Sequence, residues 1–388
     1  MKGDGTDDSV VPFTLRIEQA QVDDLKKRLD LTRWPEREIV DDWSQGVPLA
    51  KLQSLVEYWK SGYDWRRCEA TLNQLGQFRT RIVPEGFPSV NGVDIHFLHV
   101  RSKHADALPL ILTHGWPGSI VEFLKCVGPL TDPPDARDAF HLVIPSLPGY
   151  GFSGKPTEKG WNVARIARAL HVLMQRLGYS RYVAQGGDWG AAVTTAMGVQ
   201  RPQGLAAIHV NMPLVQPRET IANPTPEEKR ALEQLANYAK WENGYSAQQM
   251  TRPQTIGYAL ADSPVGQAAW IYEKFYAWTD NRGAPETTFT QDELLDNVML
   301  YWLSNSGASS ARLYWESFRG GFRAIDLHLP TGVSVFPKDI YTAPRAWCER
   351  CMHDFIYFNT LDRGGHFAAF EQPQLFAEEL RKCFRLVR

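Results

Sequence analysis

Asp188 stands at the centre of Gln185-Gly186-Gly187-Asp188-Trp189-Gly190, between an apolar run, Tyr182-Val183-Ala184, and a helix-like run, Ala191 to Met197. Small residues two before and two after the central position suit a strained strand-turn-helix elbow that pushes one side chain out at the top of a sheet. A serine at the tip would make acyl esters. A carboxylate is a weak nucleophile toward carbonyls but displaces well at saturated carbon, so Asp188 points to an alkyl ester formed from an epoxide or a haloalkane.

An ester intermediate needs a base to activate water, and a histidine on a loop after the last strand would supply it. Of the ten histidines, His366 alone sits in such a loop: Phe355-Ile356-Tyr357-Phe358 runs through Leu361-Asp362-Arg363 into Gly364-Gly365-His366-Phe367. His96 and His209 lie inside strand patterns and are read as structural. The acid that orients the base is expected after the preceding strand, Val333-Ser334-Val335-Phe336, where the first carboxylate is Asp339. Asp354 and Asp362 are nearer to His366 in sequence, but one opens the last strand and the other shares the histidine's loop. An anion-stabilising loop is expected in His114-Gly115-Trp116-Pro117-Gly118-Ser119, with the Trp116 amide as one donor and the Trp189 amide as the other.

The elements that must hold these residues are legible as composition zones. From Pro12 to about Tyr63 leucines recur at three- and four-residue steps, a helical pattern. From Ile95 to Asn211 short apolar runs alternate with helix-like stretches, which predicts a mostly parallel sheet with helices on both faces. From Pro213 to about Phe318 the chain turns helical and aromatic, the pattern of a lid inserted between strands. Strands then resume at Val333 and Phe355, and an amphipathic helix around Leu375 to Leu380 closes the chain. The expected division is an N-terminal helical segment (1–90), a first core part (91–212), a lid (213–318) and a second core part (319–388).

Composition narrows the classes. With 388 residues, 43% of them hydrophobic and 22% charged, the chain can bury a full core. A net charge of −2 without a basic block implies neither nucleic acid nor an anionic membrane as partner. The start of the chain is polar, unlike a signal peptide, and no apolar run reaches the length of a membrane span, so a cytoplasmic location is expected. Five cysteines are an odd count and favour reduced thiols. Cys348-Glu349-Arg350-Cys351 has metal-ligand spacing, but His353 alone does not supply a second ligand pair, so two structural cysteines on one helical turn are expected.

The order nucleophile, acid, histidine is that of the α/β-hydrolase fold. The segments His114 to Ser119, Gly186-Gly187-Asp188-Trp189-Gly190 and Arg363 to Glu371 resemble the signatures of the microsomal type of epoxide hydrolase. Thr32-Arg33-Trp34-Pro35 and Tyr63-Asp64-Trp65-Arg66 look like that family's N-terminal domain, so the resemblance spans nearly the whole chain. It implies hydrolysis of an epoxide to a vicinal diol without metal or organic cofactor. It also implies that Tyr245, in Glu242-Asn243-Gly244-Tyr245, and Tyr314, in Arg312-Leu313-Tyr314, bind and protonate the epoxide oxygen. Two departures are expected: the acid is often Glu in relatives and is Asp339 here, and no counterpart of the membrane-anchoring helix of the animal enzymes is expected. Among relatives the chain is similar to bacterial enzymes of enediyne natural-product pathways, with detoxification of smaller epoxides as the alternative role, and a homodimer would fit the family. Two rival readings are a haloalkane or haloacid dehalogenase, with Trp116 and Trp270 as halide donors, and an inactive hydrolase fold used for binding.

Overall fold

The computed structural model describes residues 9–84, 91–217, 220–318 and 325–388. Met1–Asp8 and the expected junctions at 90/91 and 318/319 lie outside those residues or at their edge. Among the described residues one sheet of nine strands organises the chain: β1 (Val11–Pro12), β2 (Gln77–Ile82), β3 (Val93–Val100), β4 (Leu108–Thr113), β5 (Phe140–Pro145), β6 (Tyr182–Gly186), β7 (Leu205–Val210), β8 (Thr331–Val335) and β9 (Phe355–Thr360). The spatial order is β1-β2-β3-β5-β4-β6-β7-β8-β9. The first three join antiparallel, β3 pairing with β5, and everything from β5 to β9 is parallel.

In β5, β6 and β8 every residue is buried, whichever way its side chain points. Both sheet faces are therefore covered, as a parallel sheet requires. The N-terminal segment differs in one respect from the helical pattern read in its sequence. Besides the helices Gln19–Asp30, Leu49–Ser61 and Trp65–Asn73 it supplies β1 and β2, so it continues the sheet as well as packing beside it.

Between β7 and β8 the chain leaves the sheet and, among the described residues, builds six α-helices, including Pro226–Asn237, Gly244–Thr251, Pro264–Ala277, Gln291–Leu303 and Gly307–Phe318. Thr225 with Glu228 and Thr290 with Glu293 form reciprocal capping boxes that fix where two of them start. The N-terminal segment braces this helical layer. Trp43 stacks on Tyr276 at 3.9 Å, Tyr58 donates to Asp292 at 2.8 Å, and Tyr63 and Arg67 both donate to Asp296 at 2.7 Å. Asp296 is only 6% exposed. Asp296→Ala would leave the Arg67 charge and the Tyr63 hydroxyl without their shared acceptor. Because Arg67 is partly hydrated, the expected loss is about 2–3 kcal/mol, below that of a fully buried pair. It is read as a lower denaturant midpoint at unchanged slope.

No described helix is long and apolar enough to cross a membrane. Cys348 lies in the short helix Arg345–Glu349 and Cys351 one turn on, its amide donating to the Cys348 carbonyl, and the five cysteines form no disulfide among the described residues. His353 turns away from them to Asp326, at 2.8 Å.

Candidate active site

The elbow at Asp188 is built by close contact. Asp188 has φ 52° and ψ −128°, a conformation that a non-glycine residue holds only when its surroundings impose it. The imposition comes from the glycines. A Cβ on Gly186 would lie 2.1 Å from the Gly190 carbonyl oxygen, and one on Gly190 only 1.9 Å from that of Thr113, so any side chain at either position would open the turn. The result is a carboxylate at the C-terminal end of β6 and at the start of the helix Trp189–Gln200, where the helix dipole favours negative charge.

The loop after β4 reaches this carboxylate. The Trp116 amide donates to Asp188 Oδ1 at 2.7 Å. His114 shapes the loop without touching the Asp188 carboxylate: Nδ1 meets the Gly115 carbonyl at 3.0 Å and Nε2 accepts from the Leu147 amide at 3.2 Å. Burial pushes this imidazole down to about 4, so it stays neutral and serves both bonds. Gly115 is required because a Cβ there would lie 2.2 Å from Asp188 Oδ1. The Trp189 amide is the first of the helix and directly follows Asp188 in sequence.

On the other side His366 Nε2 lies 3.4 Å from Asp188 Oδ2, and its Nδ1 lies 2.7 Å from Asp339 Oδ1. Asp339, rather than Asp354 or Asp362, is thus the carboxylate on the imidazole. Its Oδ1 also accepts from the Ile340 amide at 2.8 Å. The histidine loop is held from the lid: the His366 amide donates to the Trp278 carbonyl, the Gly364 amide to Asp280, and Glu371 takes the amides of Asp280 and Phe367. Burial opposes the imidazolium, but the Asp339 and Asp188 carboxylates outweigh it and push His366 up to about 10. In the resting site the pair Asp188 and His366 is therefore an ion pair.

Across the pocket Tyr245 and Tyr314 face the same space as Asp188. Their rings lie 5.8 Å apart, and both lean on Trp116, Tyr245 stacked at 4.8 Å and Tyr314 edge-on at 6.0 Å. Burial raises both phenols well above 10, so both are protonated donors. Two neighbours escaped the sequence reading. Tyr238 meets the Tyr245 hydroxyl at 2.9 Å, and the buried Lys274 ammonium sits 4.6 Å from the Tyr245 ring centre. The first carried a signal, since seven residues make two helical turns and bring Tyr238 onto the face of Tyr245. Trp270, a halide donor in the dehalogenase reading, spends its indole N–H on Gln249 at 3.0 Å.

The sheet, the elbow and the inserted helices define an α/β hydrolase whose nucleophile position is a carboxylate. Residues 109–261 match the α/β hydrolase fold family, and residues 10–123 match the family described as the epoxide hydrolase N terminus. The chain is 59% identical over 384 residues to a Stigmatella aurantiaca protein that bears an epoxide hydrolase name, covering 98% of this chain and 86% of that one. It is 35% identical over 415 residues to epoxide hydrolase 1 of Sus scrofa, covering 98% and 90%. The crystal structure of juvenile hormone epoxide hydrolase from Bombyx mori superposes with a TM-score of 0.90 at 31% identity, over 100% of this chain and 96% of that one. The chain belongs to the epoxide hydrolase family.

Proposed function

We propose that this protein hydrolyses a bulky epoxide to a vicinal diol through an ester on Asp188. The observation that carries the reading is the position of one carboxylate between an amide donor and an imidazole, in a pocket shared with two buried phenols. Tyr245 and Tyr314 donate to the epoxide oxygen while Asp188 Oδ2 attacks carbon from the opposite side. An alkoxide is a stronger base than a phenolate, so one phenol gives up its proton as the ring opens.

Ester formation removes the Asp188 charge, one of the two that hold the His366 proton. The imidazole then releases that proton, which replaces the one the phenol lost, and becomes a base for water. Water attacks the ester carbonyl, the Trp116 and Trp189 amides take the oxyanion, and collapse frees the diol and restores the ion pair. Every change of charge thus prepares the next step.

The pocket has a volume of about 1380 Å³ and is lined by apolar groups such as Leu214, Val215, Leu235, Ile340 and Trp347. That exceeds the usual range for small ligands and favours a large, mainly apolar substrate. The test is a single turnover of an aryl epoxide by excess enzyme in ¹⁸O-water, beside Asp188→Ala. The new diol oxygen should be unlabelled in the first turnover, since it comes from the carboxylate, and the variant should be inert. Label in the first diol would mean direct attack by water and would overturn the ester mechanism.

A further inference from the structure

Behind the nucleophile lies a second, much smaller cavity of about 20 Å³, enough for one water molecule. Asp188, His366, Thr113, Gln185 and Glu122 line it. Three of these residues carry buried polar atoms that meet no hydrogen-bond partner among the described residues: Thr113 Oγ1, Gln185 Oε1 and Glu122 Oε1. Native proteins leave few such atoms unpaired, and each costs free energy unless something polar meets it. Here they surround one water-sized space that touches both the carboxylate to be esterified and the base.

We infer that Glu122 holds the water that hydrolyses the Asp188 ester, accepting one of its hydrogens while His366 Nε2 takes the other. The inference rests on the ester mechanism proposed above. Thr113 can donate to one lone pair of that water, and the remaining lone pair faces the Asp188 carboxyl carbon. A bond forms from the water oxygen to that carbon as a proton passes to His366. The tetrahedral oxyanion then breaks its bond to the substrate oxygen, which takes the proton from His366 and leaves as the diol hydroxyl. Asp188 is regenerated with an oxygen from water.

The chemistry of Glu122 suits the task. Burial pushes its carboxyl up to about 8, with His366 opposing and Asp188 reinforcing the shift. A neutral carboxyl keeps an accepting carbonyl oxygen without competing with Asp188 and Asp339 for the imidazolium. Glu122 lies in the turn of 3-10 helix Ile120–Cys126, four residues beyond Gly118, where a Cβ would come within 2.8 Å of Glu122 Oε1. The absence of a side chain at Gly118 is what lets the carboxyl fold back toward the site.

The test separates the two chemical steps in the full-length enzyme. With an aryl epoxide and excess enzyme, ester formation and ester hydrolysis are followed by quenching and intact mass. Glu122→Leu should form the ester at within about threefold of the native rate and hydrolyse it at least ~100-fold more slowly, the scale of a lost acid-base partner. Glu122→Gln keeps the accepting oxygen and should stay within about tenfold. Equal slowing of both steps, or native hydrolysis by the Leu variant, overturns the inference while leaving the ester mechanism standing. If the native enzyme forms no ester, the mechanism itself fails. Should the Leu variant not fold, a crystal structure of the native enzyme decides, since a water must bridge Glu122 Oε1 and His366 Nε2.

Discussion

His366→Gln is expected to give an enzyme that alkylates itself once and stops. Attack by Asp188 needs no base, because the carboxylate is already ionised beside an imidazolium and an amide donor. Hydrolysis of the ester does need one, and general-base catalysis contributes about 10²–10⁴-fold. Losing the imidazolium also weakens the nucleophile's surroundings, so alkylation should slow, by less than about tenfold, while ester hydrolysis slows about 10³-fold or more. Intact mass should rise by the mass of one substrate, with the added group on the peptide that contains Asp188. In the native enzyme the same logic sets the pH dependence. His366 is held at about 10 in the resting site by two carboxylates, and in the ester only Asp339 remains. The rate of ester hydrolysis in single turnovers should therefore rise with pH toward a plateau whose midpoint lies below 10. A variant that turns over normally, or that carries no adduct after exposure to substrate, would remove His366 from the role of base.

What could be read from the sequence depended on how local the cause was. The elbow was legible from the spacing of its glycines within six residues, although only one of their contacts is local: a Cβ on Gly186 would meet Gly190, whereas one on Gly190 would meet Thr113 at the end of β4. The central parallel strands, β4 to β8, were legible as short and almost wholly buried runs, and β9, half-buried at the sheet edge, as a short aromatic run. The carboxylate and imidazole that meet at the elbow were legible as order along the chain, since β8 and β9 end on the same edge of the sheet as β6, and the turns after them carry Asp339 and His366 to Asp188. The residues that the sequence did not announce act through distant packing. β1 and β2 pair with a sheet whose next strand begins beyond residue 90, so a segment rich in helical spacing gave no sign of them. Glu122 and Lys274 face the site only because the loop after β4 and the lid helix Pro264–Ala277 close on it. Spacing in one dimension could not show that closure.

The two phenols should be worth more together than apart. Tyr245→Phe and Tyr314→Phe are each expected to slow ring opening by about 10–100-fold, because one donor remains to meet the developing alkoxide. The double variant leaves an apolar roof over a site that must stabilise negative charge on oxygen, and ring opening should fall by about 10³–10⁴-fold. The two singles need not be equal. Tyr245 has Tyr238 at 2.9 Å to return its proton and Lys274 beside its ring to stabilise a phenolate, whereas Tyr314 is surrounded by the rings of Trp116, Trp189 and Tyr245. Removing Tyr245 should therefore cost more, because it also takes away the hydroxyl that meets Tyr238. Ester hydrolysis, which follows ring opening and runs through His366, should be unaffected in both single variants. The measurement is the rate of ester formation against the rate of its decay in single turnovers. A double variant that still opens the ring at the native rate would show that neither phenol donates, and that the epoxide oxygen finds its proton elsewhere.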